Sequence, residues 1–259
     1  MLPALRRARI IELLRRDGAA GLKEMSEALK VSVSTLRRDV DYLCDQGHLE
    51  RTHGGAVLKA GLRAGIELER EIASELDSGA KAAIGLRAAG LIQPGQTVII
   101  DSGTTTAAAA RAARDRGVPF TAMTNDVSIA AILSESTLVQ VQVTGGTIRP
   151  GTSTLLGADA LHSVRRLRAD LAFVGAHALS EHEMSDTSIE LAELKRDIMA
   201  AADRPVLLAD SSKVFTRAFC SFGRVDELHL LITDSRVQRE QVDTLSANGA
   251  RVDVVAVGA

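Results

Sequence analysis

At 259 residues, with 46% apolar residues, no Trp and one Tyr, the chain is long enough for one large or two unequal domains whose cores rest on Ala, Val, Leu and Ile. A net charge of −2 excludes a uniformly basic nucleic-acid coat. No apolar run reaches bilayer length and the start carries no cleavage signal, so a cytoplasmic chain without membrane contact is expected.

The first predicted helix carries Ile10, Ile11, Leu13 and Leu14 on one side and ends at Asp17-Gly18. Leu22, Met25, Ala28 and Leu29 give a second short helix, and Lys30-Val31 is a tight connection to the third. Ser32 suits an N-cap there, Leu36, Val40 and Leu43 form the inward stripe, and Gly47 stops the helix. HLERTHGGAV then reads as a hairpin turning at Gly54-Gly55. Three short helices and a hairpin make a winged helix-turn-helix. Ser34, Thr35, Arg37 and Arg38 then lie off the stripe, at the end of a recognition helix that meets base edges and phosphates. Met1 to Val57 holds ten Lys plus Arg against eight Asp plus Glu, a mild basic excess that decides little.

The chain is expected to divide into a DNA-binding domain over 1–58, a linker over 59–78 and a larger domain over 79–259. Gly61 and Gly65 mark a candidate hinge, and ELEREIASELDSG reads either as the helical part of that linker or as a surface helix of the second domain. Beyond it, TVII, PFTAMTN, LVQVQVTGG, DLAFVG, VLLADSSK, ELHLLITD and RVDVVAV are predicted strands, several of them separated by helices. The pattern predicts an α/β fold with a mostly parallel sheet covered on both faces.

Ligands of open α/β sheets bind at the carboxyl ends of the strands, and the polar residues collect there. Asp101, Ser102 and Gly103 end the first strand and lead straight into Thr104, Thr105 and Thr106, which puts hydroxyls and free backbone N–H groups at a helix start suited to a phosphate. Asn125, the pair Gly145 and Gly146, Arg149, Asp210 and Lys213 sit at other strand ends. Lys213 offers a cation, and Asp101 or Asp210 an acceptor for sugar hydroxyls. No P-loop, GxGxxG, HExxH or Cys/His cluster is present, so no cofactor, metal or catalytic residue is expected. Cys44 and Cys220 read as small apolar residues and the scattered histidines as ordinary polar ones.

KVSVSTLRRDVDYLCDQGHLERTHGGA resembles the signature of DeoR-type bacterial transcription regulators. DSGTTT, MTND, TGGTIRP, DLAFVGA, ELKRDIM and ADSSK, in that order, resemble the family's sensor domain. The resemblance implies a repressor of a carbohydrate operon, relieved by a phosphorylated sugar, acting on double-stranded operator DNA as a dimer or tetramer. It places Ser32, Ser34, Thr35, Arg37 and Arg38 in the recognition helix, Arg51 and His53 in the wing, and Asp101 through Thr106 with Lys213 at the effector. One departure is Leu191-Ala192, where many members carry Glu-Ala; Glu190 and Glu193 stand nearby. The sensor fold is also similar to ribose-5-phosphate isomerase, which raises the rival of an isomerase-like enzyme with an appended DNA-binding domain. The isomerase Asp-Gly-Ala-Asp run is here Val174-Gly175-Ala176-His177, which lacks both acids and favours binding without proton abstraction.

Overall fold

The computed structural model describes residues 2–59 and 70–258, in two compact units, Met1–Leu76 and Asp77–Ala259. The glycine hinge expected at Gly61 and Gly65 lies outside the described residues.

In the first unit, α1 (Pro3–Asp17), α2 (Leu22–Leu29) and α3 (Val33–Asp45) enclose a core of Ile10, Ile11, Leu14, Met25, Leu36, Val40 and Leu43. The hairpin of β2 (Leu49–Thr52) and β3 (Gly55–Leu58) is present, and a short strand, β1 (Ala19–Gly21), adds to it in the order β1-β3-β2. That third strand was not expected, because Ala19-Ala20-Gly21 carries no strand-like alternation; tertiary pairing with β3 creates it. The turn needs Gly54, at φ +88°, and a Cβ at Gly55 would collide with the Ala20 carbonyl. Helix α4 (Arg70–Glu75) falls in the segment read as linker or as second-domain surface. It packs on α1 instead, with Ile72 and Leu76 buried in the first core, because the two apolar residues share one helix face.

The second unit contains α5 (Ser78–Ala89), β4 (Thr97–Ile100), α6 (Thr104–Asp115), β5 (Phe120–Thr124), α7 (Val127–Ser134), β6 (Val139–Val143), β7 (Thr147–Ile148), β8 (Leu155–Leu156), α8 (Ala158–Arg165) and β9 (Leu171–Gly175). There follow β10 (Ala178–Leu179), β11 (Glu183–Asp186), α9 (Ile189–Ala200), β12 (Pro205–Leu208), β13 (Cys220–Arg224), β14 (Leu230–Asp234), α10 (Arg239–Ala247) and β15 (Val252–Val255). Seven strands form one parallel sheet in the order β15-β14-β12-β9-β4-β5-β6. All seven expected strands are in it. Alternate side chains feed two cores: Val98, Ile100, Phe173, Val206 and Ile232 pack toward α5, α6 and α7, and Ile99, Ala172, Val174, Leu207 and Leu231 toward α8 and α9. The Ala-rich α6 lies so close to α5 that a Cβ at Gly85 would come 2.6 Å from the Ala108 carbonyl carbon.

The chain runs outward from β4 to β6, then returns to β9 and runs outward the other way. The order therefore reverses between β4 and β9, and the crevice at their carboxyl ends is where this topology binds ligands. A small antiparallel sheet, β10-β11-β13, follows β9 and is not predicted from the sequence because its strands are short and β13 lies far along the chain from the other two.

Candidate nucleic-acid interface and anion site

In the first unit, the Ser32 hydroxyl accepts from the Thr35 amide at 3.2 Å and lies 3.0 Å from the Ser34 hydroxyl. Ser32 is therefore the cap that starts α3, as its type suggested. Ser34, Arg37 and Arg38 are exposed, Thr35 is half-buried, and Arg51 and His53 are exposed on the wing. Arg51 is ion-paired with Asp41 of α3, which ties the wing to that helix.

The residue missed by the sequence reading is Asp39. It is buried on the inward side of α3 and accepts from Arg6 and Arg7 of α1, the latter at 3.3 Å; Arg7 also lies 3.4 Å from the centroid of the Tyr42 ring. An acid three positions after the core residue Leu36 was the available signal. Such a buried carboxylate needs its cations, so Asp39 fixes the roll of α3 on α1.

In the second unit, Asp101 stands fully buried at the end of β4, facing the crevice between β4 and β9. Its Oδ2 accepts from the Gly175 amide at 3.1 Å and from Lys195 of α9. Lys195 also donates to the Gly175 carbonyl at 2.9 Å and lies 3.5 Å from the Asp186 carboxylate on β11. Burial pushes the Asp101 carboxyl up against the pull of Lys195. Burial opposes the Lys195 charge too, but Asp101 and Asp186 outweigh it and hold the ammonium above its ordinary range. Lys195 was overlooked as a site residue. It sits at the i+4 position of the stripe Leu191, Leu194, Ile198, where a lysine is out of place unless it meets buried acids. Glu190 and Glu193 are exposed, whereas Leu191 and Lys195 of the same helix are buried.

Beside this cluster the start of α6 has no side-chain cap, whereas α7 is capped by Asp126 and α9 by Ser188. Gly103, at φ +148°, leads the chain in, and the Thr106 hydroxyl donates back to the Gly103 carbonyl at 3.0 Å. The Thr104 and Thr105 hydroxyls are not used as caps. Asn125, at the end of β5, accepts from the Ser102 amide at 2.9 Å and joins the two neighbouring strand ends. An uncapped helix start bordered by hydroxyls is chemically an anion receptor.

The remaining predicted residues divide. Asp210, at the end of β12, accepts from the Ser212 amide at 3.1 Å and shapes the 3-10 turn Ser211–Lys213. The fully buried Asp234 of β14 takes the Ser211 amide at 2.7 Å and is paired with Arg236 at 2.8 Å. Lys213 is half-buried and has no carboxylate partner among the described residues. Gly145 and Gly146 have φ of +75° and +105°, and a Cβ at Gly146 would strike the Leu156 carbonyl. Their glycine character thus follows from the turn into the β7-β8 hairpin, which lies against the end of β5. The Leu155 amide donates to the Asn125 carbonyl at 2.7 Å, Thr154 bridges to Asp126, and the Arg149 amide donates to the Thr154 carbonyl at 2.8 Å, so the hairpin that carries Arg149 borders the same strand end as Asn125. Asp101 through Thr106 and Asn125 come together at the crevice. Among the described residues no group of His, Cys, Asp and Glu could hold a metal, and no helix is long and apolar enough to cross a membrane.

Comparison with known proteins adds the family. The model of the DeoR-like helix-turn-helix domain matches residues 6–60, and that of the DeoR C terminal sensor domain matches residues 77–235. The chain belongs to the DeoR family. This DeoR-family chain is a DNA-binding transcriptional regulator and not an enzyme. It is 34% identical over 253 residues to the HTH-type transcriptional regulator GlpR of Haloferax volcanii, covering 97% of this chain and 98% of that one. It is 32% identical over 254 residues to the putative aga operon transcriptional repressor of Escherichia coli O157:H7, covering 98% and 93%. Among solved structures it is similar to ribose 5-phosphate isomerase A from Neisseria gonorrhoeae, at 15% identity, over 54% of this chain and 53% of that one, with a TM-score of 0.39.

Proposed function

We propose that this DeoR-family regulator is a cytoplasmic repressor of a carbohydrate operon, released from its operator by a phosphorylated sugar. The observation that carries the reading is the uncapped start of α6, with Thr104 and Thr105 beside the buried Asp101 and Lys195 at the reversal of the sheet. The phosphate takes the free amides and hydroxyls there, Asp101 orients the sugar, and Lys213 adds a cation from the neighbouring loop. Ser34, Thr35, Arg37 and Arg38 read the major groove, Ser32 holds the helix start, and Arg51 and His53 meet the backbone from the wing. One small module seldom reaches operator affinity, so the regulator works as a homo-oligomer, and effector releases DNA by favouring an arrangement that spaces the modules wrongly. Names such as the aga operon repressor and the lactose phosphotransferase system repressor of Lactococcus lactis agree with a sugar-linked effector.

The test is fluorescence anisotropy on the DNA upstream of the protein's own gene, at fixed salt, with phosphorylated sugars and their unphosphorylated counterparts. Release by a phosphorylated member alone is expected. Release by an unphosphorylated sugar alone would remove the phosphate from the reading.

A further inference from the structure

Asp234, the last residue of β14, is a buried carboxylate that the effector reading does not use. It holds the Ser211–Lys213 turn twice over, accepting from the Ser211 amide at 2.7 Å and from the Ser211 hydroxyl at 3.1 Å. Arg236, two residues further on, donates to the same carboxylate through Nε at 2.8 Å. Its Nη1 reaches the other way, to the Asp77 carboxylate, also at 2.8 Å. Three side chains in contact, all within the sensor unit, therefore run from the turn that carries Lys213 to Asp77.

Asp77 is the first residue of the sensor unit, and Leu76 before it is buried in the first core, so the chain that joins the units passes through the Asp77 backbone. That backbone is left-handed, at φ +51°, ψ +31°. The conformation is strained for a residue with a side chain and persists where the surroundings impose it. Asp77 stands just before α5, where an aspartate ordinarily caps the helix, yet its carboxylate makes no cap bond and is nearly buried against Arg236. A pair between two fully exposed side chains would contribute little and couple nothing. This one ties a strained residue at the unit boundary to the carboxylate that holds the Ser211 turn. It supplies two discrete arrangements: pair made and Asp77 left-handed, or pair broken and Asp77 free to take an ordinary backbone conformation.

We propose that Asp234, Arg236 and Asp77 form a latch that carries the effector signal from the Ser211–Lys213 turn to the junction of the two units. The proposal rests on the reading above that places the effector beside Lys213. A phosphorylated sugar that draws Lys213 toward itself shifts Ser211 on Asp234; Arg236 follows Asp234 and leaves Asp77, whose backbone relaxes and redirects the chain between Leu76 and Ser78. Operator DNA favours the closed latch and sugar the open one, so each ligand weakens the other by the same factor. Arg236 and Asp77 touch neither ligand and act as positioning residues.

The test uses the full chain, with operator anisotropy and a calorimetric sugar titration of the free protein. Hexose 1-phosphates, hexose 6-phosphates, glycerol 3-phosphate and inorganic phosphate are the probes, and the one that releases the parent chain is carried forward. The variants are Asp77→Asn and Arg236→Gln, each checked for folding by circular dichroism; asparagine accepts a left-handed backbone as aspartate does, so the first removes the charge alone. The probe is expected to raise the operator dissociation constant of the parent at least about tenfold and that of either variant less than about threefold. Without sugar, each variant should bind operator more weakly than the parent while binding sugar at least as tightly, because an open latch favours sugar. Loss of operator and sugar binding together would mark both residues as plain supports of the fold and overturn the latch. Variants released as fully as the parent would overturn the latch alone, and a parent released by none of the probes would overturn the effector reading and the latch with it.

Discussion

The DNA-binding unit keeps Arg37 and Arg38 in solvent and buries Asp39 between two arginines, whereas the sensor unit buries Asp101, Asp186 and Lys195 together. A polymer with a continuous negative surface is met by exposed cations that give up counterions on contact. A small ligand is met by a few groups fixed before it arrives, and burial fixes them. Exposed charge therefore affects binding with little effect on stability, and buried charge affects stability first.

The sharpest way to break that contrast is at Lys195. Lys195→Met leaves the Asp101 and Asp186 carboxylates buried without their cation and is expected to destabilise the sensor unit by about 3–5 kcal/mol in urea unfolding. Adding Asp101→Asn should recover part of the loss. A double variant as unstable as the single one would show that the pair is not what the lysine supports.

At the exposed end of the contrast, Arg37→Ala and Arg38→Ala should each weaken operator binding by about 1–3 kcal/mol while leaving the unfolding midpoint and the sugar response unchanged. Repression at the parent level by either variant would move the recognition surface away from the start of α3.

Asp234 gives a test by pH. Burial pushes its carboxyl up, but Arg236 and the Ser211 and Arg236 amides outweigh burial and hold it below the ordinary range. Its folded value is depressed, so its stabilisation is present above the unfolded value of about 3.9 and is lost as pH falls through the folded one. Asp234→Asn is expected to cost about 1.5–3 kcal/mol at neutral pH, with the difference from the parent shrinking below about pH 3.9. A difference that stays constant down to pH 2 would mean that the charge is not what holds the Ser211 turn.

The smallest effect concerns the turn between α2 and α3, where Lys30 adopts φ +53°, ψ +44°. A left-handed residue other than glycine is strained by about 1–2 kcal/mol, and the extra freedom of an unfolded glycine offsets about 0.5–1 of it. Lys30→Gly should thus raise stability by at most about 1 kcal/mol, read as a small upward shift of the thermal midpoint.

Much of both units was legible from spacing. Leu36, Val40 and Leu43 defined the inward side of α3, and with it the exposure of Arg37 and Arg38. The seven strands of the main sheet were legible because buried parallel strands are continuous apolar runs, and DSGTTT was legible because hydroxyls gather where a strand enters a helix. Asp39 and Lys195 left a fainter trace, one charged residue each on an apolar stripe. Periodicity marks such a position as inward without saying which charge will meet it.

Other features belong to the tertiary structure alone. Arg6 lies 33 residues from Asp39, and Asp101 lies 94 residues from Lys195, so no local pattern joins either pair. The strand β1, the packing of Ile72 and Leu76 into the first core, and the pairing of β13 with β11 likewise depend on partners distant in sequence. The sequence by itself determines which residues must leave water and how often they recur, because burial and backbone geometry act over a few residues. Which buried charges meet is decided only when the sheet order brings remote segments together.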